Sequence, residues 1–523
     1  MTADVRISAA STSLKRQDAA CPFPGICNES DDTFCNIQKL RFILERVGFN
    51  HENIQRMFGI NSSTFGPVYL KPVATALNEK SFHLPPLDGE KVLPNGTDLE
   101  NSSLRSLVAM FILGYAIPRS ILEKNLIGGS ETISLMESLG LAFPCEIDKE
   151  IIVPYVHIFP LSIPLLRRNE ETGNISENEV SSMILVTDLH PTLLCRTTVG
   201  CEEDGAVMYI GPDSLALCQH KPIRSHLKRL FSPKGKNEEM SPFKLIDFCS
   251  GSGIQALSTL MTLKYIDPCA SAICVDINKR ALRFTKFNSL FNGMEDSRIN
   301  TVHADLCDES LISKENILSI SEERKPYNTF DMILCNPPFI PTPRNVGDEV
   351  SEGINKRYGQ FSTGGSSGDD VLRRVVQISG KLLRKDQGLL AIVSEFMNPP
   401  ISNDDYGKDD VIEKIREWWD KDVDAKGILF TNEFPLSAIE YARRRAVDSD
   451  EFNTWMENLD SHGIERVSPG LLYIKTLVDS PCGKKIHAIP KIVPHDKKLG
   501  SIWSPHNFRA IQFTEEVWQH FFE

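Results

Sequence analysis

The feature that most constrains the fold is a repeat of apolar strand, turn and helix between residues 244 and 340. Its first unit, residues 244–257, has a short apolar strand, a turn that contains Gly251 and Gly253, and a helix that begins near Ile254. Strands that alternate with helices predict a parallel sheet with helices on both faces, which is an α/β fold. Such sheets bind their ligands at the carboxyl ends of the strands. We therefore expect the functional site along that edge.

Acidic residues end the next two strands of the repeat. Residues 270–276 form an apolar strand that ends in Asp276, and residues 298–305 form another that ends in Asp305. A carboxylate about 20 to 30 residues after a glycine turn, at the end of a strand, is placed to accept hydrogen bonds from a ribose diol. The glycines let a ligand approach the backbone, and the helix N-terminus adds oriented N–H groups. This pattern predicts a nucleoside-containing cofactor.

A rigid polar turn, Asn336-Pro337-Pro338-Phe339, ends the fourth strand, residues 330–335. The prolines fix φ near about −65° and keep the residue before them out of a helix, so the Asn336 side chain and the Pro337 carbonyl form a preset pair of acceptors. A planar NH2 group could donate both hydrogens to this pair while Phe339 covers its flat face. The turn alone leaves a purely structural role open. Its position after the glycine turn and the two acids favours a catalytic role.

In combination these motifs resemble the class I S-adenosylmethionine-dependent methyltransferases, in particular the branch with Asn-Pro-Pro-(Phe/Tyr) that includes the HemK/PrmC-type enzymes. Enzymes of that branch methylate planar nitrogens, either glutamine side-chain amides in proteins or exocyclic amines of adenine or guanine in nucleic acids. The resemblance covers about residues 243–396. It implies a Rossmann-like, seven-stranded, doubly wound sheet and S-adenosyl-L-methionine as the cofactor. A glycine-rich stretch, residues 358–370, looks like the segment after the catalytic turn in the glutamine-methylating enzymes, with a flexible surface linker as the alternative.

The resemblance also implies roles for individual residues. The expected cofactor-binding residues are Asp247, Cys249, Gly251, Gly253, Asp276, Asp305 and Asn336, and the expected catalytic residues are Asn336, Pro337 and Phe339. Within the first set, Asp276 matches the ribose-binding acid and Asp305 the residue near the adenine amine. Cys249 departs from the family pattern, because it stands where a glycine usually lies. We expect cofactor binding to survive there if the φ of Cys249 is negative. No metal is expected.

Charge and the glycine-rich stretch favour a protein as the methyl acceptor. The formal net charge is −13 and the pI is about 5.5, which argues against a broad nucleic-acid-binding surface. The basic residues 224–236 are expected to be a solvated linker, with a local nucleic-acid patch as the alternative. The favoured function is methylation of a glutamine amide in a protein. An exocyclic amine in nucleic acid or a small metabolite is an alternative acceptor, and a catalytically silent cofactor-binding scaffold is a third hypothesis, against which the intact Asn336 turn argues.

The sequence predicts five stretches along the chain. They are a disordered tail at 1–34, a mainly helical N-terminal domain at 35–180, a β-rich connector at 181–240, the methyltransferase core at 241–400, and the C-terminal part of the sheet with a helical insertion at 401–523. Three short helices and a hairpin give the N-terminal domain a winged-helix-like pattern, but its third helix lacks the basic residues of a DNA-reading helix. The connector has strand candidates at residues 182–188 and 206–211. Trp418, Trp419 and Trp455 are expected to pack rather than to stack on a substrate.

Scattered cysteines indicate a reducing compartment. The chain has 13 cysteines without a disulfide framework, and the cluster of Cys21, Cys27 and Cys35 lacks a Cys-x-x-Cys pair, which disfavours zinc. The longest apolar run near the front, residues 107–117, is too short to span a bilayer. We expect an intracellular, cytoplasmic protein without a membrane span. Organellar targeting stays open, because the first 20 residues are rich in Ser and Ala, and the oligomeric state is not predicted.

Overall fold

A computed structural model describes most of the chain. The described residues are 31–57, 93, 95–145, 148–169, 171–188, 207–208, 210–232, 241–308, 329–343, 362–401, 411–477, 486–493, 501–504 and 507–522. Residues 1–30 of the predicted tail, Cys21 and Cys27, and residues 233–236 of the basic stretch lie outside these ranges. The same holds for residues 358–361 of the glycine-rich stretch.

The N-terminal part is mainly helical, as the sequence predicts. Its elements are α1 (Asp31–Arg46), α2 (His51–Met57), α3 (Asp98–Phe111), β1 (Ile117–Pro118), α4 (Arg119–Asn125), α5 (Ser130–Ser138), β2 (Ala142–Pro144) and β3 (Ile151–Pro154). Helix α3 begins with a capping box, in which Thr97 Oγ1 accepts the Glu100 N–H at 3.2 Å and Glu100 Oε2 accepts the Thr97 N–H at 2.8 Å. Three helices followed by the β2–β3 hairpin agree with the winged-helix-like pattern.

A long antiparallel ribbon links this part to the rest of the chain. Its strands are β4 (Val156–Arg168) and β5 (Ile175–Asp188), and they are followed by helices α6 (Pro212–Gln219) and α7 (Pro222–Phe231). The predicted strand at 182–188 is therefore present and longer. The predicted strand at 206–211 is wrong for its described residues, because 207, 208, 210 and 211 lie outside any strand. The Val207 N–H donates instead to the Asp188 carboxylate at 2.8 Å, and Pro212 starts a helix.

Strands and helices alternate through the rest of the chain. In order they are β6 (Lys244–Phe248), α8 (Ile254–Thr262), β7 (Ser271–Asp276), α9 (Lys279–Phe291), β8 (Ile299–His303), β9 (Met332–Cys335), α10 (Asp370–Leu382), β10 (Leu389–Met397), α11 (Val411–Trp418), β11 (Ala425–Asn432), β12 (Leu436–Ser437), α12 (Ala438–Arg445), α13 (Ser449–Ser461), β13 (Arg466–Thr476), β14 (Ile486–Val493) and α14 (Phe508–Phe522).

These strands form one large sheet with the order β14-β11-β13-β10-β9-β6-β7-β8, and β12 pairs with β13 at the side. Strands β6 to β10 are parallel, whereas β13 is antiparallel to both of its long neighbours. The order reverses direction between β6 and β9, which is where ligands bind in doubly wound sheets. The predicted α/β, Rossmann-like fold is confirmed. The described sheet has nine strands rather than the predicted seven, because β12 and β14 add to it.

Two hydrophobic cores lie on opposite faces of the sheet. Leu245 contributes to the core that contains α8, α9, α14 and the N-terminal helices, and the next residue, Ile246, contributes to the core with α10 and α11. This alternation follows from the two-residue period of a strand. A smaller third core joins α12 and α13, through Trp455 and Phe339, to the turn at residues 336–339, which we call the catalytic turn after its predicted role. Trp455 and Trp419 are buried, as predicted, and Trp418 packs at the edge of the second core.

Candidate active site

A cleft of about 260 Å³ opens at the carboxyl ends of β6, β7, β8 and β9. Five of the predicted residues line it, namely Cys249, Gly251, Asp276, Asp305 and Asn336. The other predicted residues, all of them described, are Asp247, Gly253, Pro337 and Phe339, and they are not part of the lining. Lining residues that the sequence did not single out include Met208, Ser214 and Cys307. They lie in turns and helix starts, where no local pattern marks a binding residue.

The two glycines of the first turn serve different purposes. Gly251 has φ 53°, and a Cβ added to it would meet nothing within 4 Å, so its backbone faces open space in the cleft. Gly253 has φ 80°, and a Cβ there would lie 2.9 Å from Cγ2 of Thr285 on α9. Gly251 thus leaves room for a ligand beside the backbone, and Gly253 allows close packing of two helices. This open cradle fits a nucleoside cofactor.

Cys249 does not have the backbone conformation on which the sequence prediction depended. Its φ is +55°, in the left-handed region, where a side chain costs about 1 to 2 kcal/mol relative to glycine. The negative φ on which the expected survival of cofactor binding depended is therefore not present. The thiol is partly exposed to the cleft and lies beside the buried Cys335 at the end of β9. Burial, followed by the contact with Cys249, raises the pKa of the Cys335 thiol.

Asp247 lies beneath the cleft rather than in it. The side chain is fully buried, and its Oδ2 accepts the Ala256 N–H at 3.0 Å in the first turn of α8. Burial raises the pKa of this carboxyl from 3.8 to about 8, and the nearby Asp276 carboxylate adds to the shift. Asp247 thus secures the helix that follows the glycine turn.

Asp276 holds the glycine turn from the neighbouring strand. Its Oδ2 accepts the Gly251 N–H at 2.8 Å, and its Oδ1 accepts the Asn278 N–H at 2.9 Å. Burial raises the pKa of Asp276 in spite of these bonds. A carboxylate oxygen can accept more than one hydrogen bond, so Asp276 retains capacity for the hydroxyls of a ribose. Asp305 is exposed at the end of the next strand, and its Oδ1 accepts the Cys307 N–H at 2.8 Å.

In the described part of the chain, the nitrogen at one end of the Asn336 side-chain amide is hydrogen-bonded, and the oxygen at the other end is not. Its Nδ2 donates to Asp213 Oδ2 at 3.0 Å. Its Oδ1 is buried, and among the described residues it has no hydrogen-bond partner. Burial raises the pKa of Asp213, and the Glu395 carboxylate adds a smaller contribution of the same sign. The sequence analysis missed Asp213, because an acid in the first turn of a helix is common for reasons unrelated to function.

The glycine-rich stretch is fixed to the catalytic turn. Ser362 O accepts the N–H groups of Phe339 at 3.1 Å and Ile340 at 2.8 Å, and the Gly364 N–H donates to Ile340 O at 2.9 Å. A Cβ added to Gly364 would lie 2.9 Å from Phe339 Cα, so this glycine is needed for the close approach. The described part of the stretch is thus a packed wall of the site, which disfavours the flexible linker. Asp369 precedes α10, but its side chain makes no capping bond there.

Two residues from the C-terminal part complete the wall. Trp503 lies against Phe339, with ring centroids 5.6 Å apart and an interplanar angle of 49°. Asn458 of α13 donates through Nδ2 to Pro341 O at 3.0 Å and to Ser366 O at 2.9 Å. The helical insertion therefore connects the catalytic turn with the glycine-rich stretch. Neither residue carries a local sequence signal, because both act through contacts with distant segments.

Charges near the site are paired within the protein. Glu395, at the end of β10, accepts from Tyr441 OH at 2.8 Å and pairs with Arg445 at 2.9 Å. In the basic stretch, Arg224 and Lys228 both bind Glu177, at 2.6 and 2.8 Å. These pairs favour a structural role for the described part of the stretch, through contact with the ribbon.

Within the described ranges, no group of three or more His, Cys, Asp and Glu side chains could hold a metal ion, and Cys35 is exposed. In the same part of the chain, no helix is long and apolar enough to cross a membrane. The expected intracellular location stays a prediction.

Comparison in sequence finds a partial relative of the chain. No protein-family model matches the chain. A release factor glutamine methyltransferase of Corynebacterium glutamicum is 26% identical over 141 residues, which are 27% of this chain and 43% of that protein. The chain thus spans less than half of the length of this relative.

Solved structures give weaker matches. A type I restriction-modification methyltransferase subunit from Streptococcus thermophilus has a TM-score of 0.35 and 13% identity, over 99% of this chain and 94% of its own. A SAM-dependent methyltransferase from Agrobacterium tumefaciens has a TM-score of 0.29 and 14% identity, over 60% of this chain and 77% of its own. Both TM-scores lie below 0.5, so neither match bears on function.

Proposed function

We propose that the chain is an S-adenosylmethionine-dependent N-methyltransferase whose acceptor is a planar nitrogen, most specifically a glutamine side-chain amide in a protein. The observation that carries the proposal is the buried, unpartnered Oδ1 of Asn336, which stands beside the glycine turn and Asp276 at the same cleft. A buried acceptor without a donor costs free energy, so its retention favours a ligand that supplies the donor.

The cofactor would lie along the carboxyl ends of β6 to β9. Gly251 leaves room beside its backbone, Asp276 would accept the ribose hydroxyls, and Asp305 would stand near the adenine amine. S-adenosylmethionine supplies a methyl group on a positively charged sulfur, which is already activated for transfer. The remaining tasks of the chain are to orient the acceptor nitrogen and to exclude competing partners.

The catalytic turn would hold the acceptor. Asn336 Oδ1 and the Pro337 carbonyl would each accept one hydrogen of the NH2 group. In an amide the nitrogen lone pair is delocalised into the carbonyl, and bonds to both N–H groups return electron density to the nitrogen and orient it. The acceptor nitrogen would gain the methyl group as the carbon–sulfur bond breaks to leave a neutral thioether, and the nitrogen would lose one proton to solvent. No side chain of matched pKa is therefore assigned as a general base. Phe339, supported by Trp503, would limit the tilt of the amide plane.

Charge and similarity both support a protein acceptor. Asp276 and Asp305 line the cleft, and acidic groups there are unfavourable for a phosphate backbone. The glycine-rich stretch is in contact with the catalytic turn, as the resemblance to the glutamine-methylating enzymes implies. The relative in Corynebacterium glutamicum is itself named as a release factor glutamine methyltransferase.

Methyl transfer from labelled cofactor tests the proposal. The purified chain is incubated with methyl-labelled S-adenosylmethionine and a fractionated cell extract, and labelled protein is hydrolysed and searched for methylated glutamine. We expect label in protein. Label in nucleic acid or in small molecules would contradict the protein acceptor, and label in nothing would support the silent scaffold.

Asn336→Ala identifies the catalytic turn in the same assay. Loss of the acceptor oxygen should lower turnover by about 100-fold or more, by analogy with the loss of one preorganised hydrogen bond at a reacting group. Cofactor affinity, measured by calorimetry, should stay within about twofold, because the glycine turn and Asp276 are unchanged. Equal loss of affinity and turnover would contradict the assigned role.

A further inference from the structure

We infer that Asp213 is a positioning residue, which fixes the end of the Asn336 side-chain amide that faces the acceptor nitrogen. The inference rests on the proposed function. It concerns a residue of the segment before the sheet, and the hydrogen bond spans 123 positions in the sequence.

The Asp213 carboxylate is held firmly at the start of α6. The residue is only 4% exposed and accepts the backbone N–H of Ser214. A Cβ added to Gly211 would lie 2.5 Å from Asp213 Oδ1, so the carboxylate lies directly against that glycine. Gly211 has φ −98°, which any residue can adopt. A glycine is therefore needed here for the space beside Asp213 and not for its backbone conformation. The carboxylate has little freedom to turn away from Asn336.

The hydrogen bond with Asp213 favours one of the two orientations of the Asn336 side-chain amide. The two ends of an asparagine amide are nearly equal in size, but one only accepts hydrogen bonds and the other only donates them. An ionised carboxylate only accepts, so Asp213 stabilises the orientation in which Nδ2 points toward it at 3.0 Å. Asn336 Oδ1 then points away from Asp213 and remains free to accept. The opposite orientation would present Nδ2 to the NH2 group of the acceptor, and two donors cannot bind each other.

A role in packing alone would not require this polarity. Any side chain of similar size could fill the space beside Asn336, whereas the orientation of the amide depends on Asp213 being an acceptor. The test must therefore exchange hydrogen-bond donors and acceptors without a change in the shape of the side chains. Aspartate and asparagine are close to isosteric, so exchanges between them at positions 213 and 336 meet this need.

Three variants form a double-mutant cycle: Asp213→Asn, Asn336→Asp, and the two together. In Asp213→Asn, the new amide can donate a hydrogen bond to Asn336 Oδ1, which is then no longer available to the NH2 group of the substrate. In Asn336→Asp, two carboxylates come into contact. Each single variant should lower kcat by roughly tenfold or more, with cofactor affinity within about twofold.

The double variant restores one donor and one acceptor with their places exchanged. The introduced asparagine can donate to one oxygen of the introduced aspartate, whose other oxygen then accepts from the substrate. We expect kcat to recover by roughly tenfold relative to the lower single variant. Such recovery is not expected if Asp213 only fills space, and a double variant no better than the lower single variant would overturn the inference.

Gly211→Ala gives an independent test without a change of charge. The added methyl group should displace the Asp213 carboxylate and lower kcat while the melting temperature and cofactor affinity show that the chain is folded. Full kcat in this variant would overturn the inference even if Asp213→Asn fails to fold. Asp386→Asn, at an exposed turn, is the matched control and should leave kcat unchanged.

The two proposals fail in different ways. If Asn336→Ala is inactive but Asp213→Asn and Gly211→Ala are fully active, the proposed function stands and the role of Asp213 is wrong. If wild type transfers no label, or Asn336→Ala is fully active, the proposed function itself is wrong.

Discussion

At the scale of single residues, the site depends on backbone conformations as much as on side-chain chemistry. Cys249, Gly251 and Gly253 occupy alternate positions in the first turn, and all three have positive φ. Two of them are glycines, for which this conformation is free of strain, and the third is a cysteine that adopts it at a cost. The turn keeps this conformation although it strains Cys249, and the Cys249 side chain lines the cleft.

Gly251→Ala should weaken cofactor binding without a large loss of stability. Its positive φ and the new methyl group in the cleft act together, and we expect cofactor affinity to fall by at least about tenfold and stability by about 1 kcal/mol. Calorimetric titration and urea unfolding measure the two effects. Gly293→Ala is a matched control, because Gly293 also has positive φ (67°) and nothing within 4 Å, but lies outside the cleft lining. It should lose the same stability and no affinity.

Asp247→Asn should reduce the pH dependence of stability. The folded protein holds a proton on Asp247 up to about pH 8, whereas the unfolded chain releases it near pH 3.8. The free energy of unfolding is therefore highest below that range and falls as pH rises through it, by up to about 1.4 kcal/mol per pH unit for one group. Urea unfolding from pH 5 to 8 should show a shallower fall in the variant. An unchanged slope, as expected for the exposed Asp386→Asn, would contradict the shift.

At the scale of elements, the inserted helices α12 and α13 do more than cover the sheet. Helix α12 is tied to the end of β10 by Tyr441 and Arg445, which both contact Glu395. Through Asn458, helix α13 contacts Pro341, two residues after the catalytic turn, and Ser366 of the glycine-rich stretch. The insertion thus connects three segments at the active edge, and its geometry should affect how the acceptor enters.

Asn458→Ala should impair methyl transfer more than cofactor binding. Without the amide, Pro341 O and Ser366 O lose their shared donor, and the two loops can shift relative to each other. A displacement of the acceptor wall should lower kcat/KM by roughly 10- to 100-fold. The control is Asn453→Ala on the exposed face of the same helix. Activity equal to that of the control would show that the two hydrogen bonds from Asn458 are unimportant for methyl transfer.

At the scale of the whole molecule, one hydrophobic core extends across most of the chain. It runs from Ile37 in α1 to Phe522 in α14 and includes one face of the sheet. Apart from a small separate cluster of Ala116, Cys145 and Val153, the described N-terminal part shares its core with the sheet. The predicted domain boundaries remain predictions about sequence organisation, and folding of the two parts should be coupled.

Asn288→Ala tests this coupling. Asn288 is fully buried on α9; its Oδ1 accepts the Val186 N–H at 2.7 Å, and its Nδ2 donates to Val186 O at 3.0 Å and Ser252 O at 2.9 Å. One side chain thus joins the ribbon to the glycine turn. Removal should leave buried backbone groups unpaired and lower stability by about 3 kcal/mol. Urea unfolding followed by circular dichroism measures the loss, and Asn453→Ala again serves as the exposed control.

A comparison of the unfolding transitions seen by fluorescence and by circular dichroism gives a second test of this coupling. All five tryptophans lie C-terminal to residue 417, so their fluorescence reports on that part, whereas circular dichroism reports on the whole chain. In wild type the two transitions should coincide. Separate transitions would contradict the shared core.

The sequence by itself determined the order of strands and helices from β6 to β10, the α/β class and five residues that line the cleft. These features depend on local patterns: apolar strands, glycines at turns and polar residues at strand ends. Gly251, Asp276 and Asn336 could be found because each marks the end of a strand whose carboxyl edge is shared by its parallel neighbours. The two further strands were missed, since short or edge strands have weak patterns.

Only the tertiary structure decided how those residues are held. Asp213 meets Asn336 across 123 positions, and Asn458 meets Pro341 across 117. Such contacts depend on strand order and on how loops close, and neither is encoded in a local pattern. The positive φ of Cys249 is likewise set by the packed turn rather than by its own preference. The sequence predicts which acceptors could bind a planar NH2 group, whereas the orientation of the Asn336 side chain depends on a tertiary contact with Asp213.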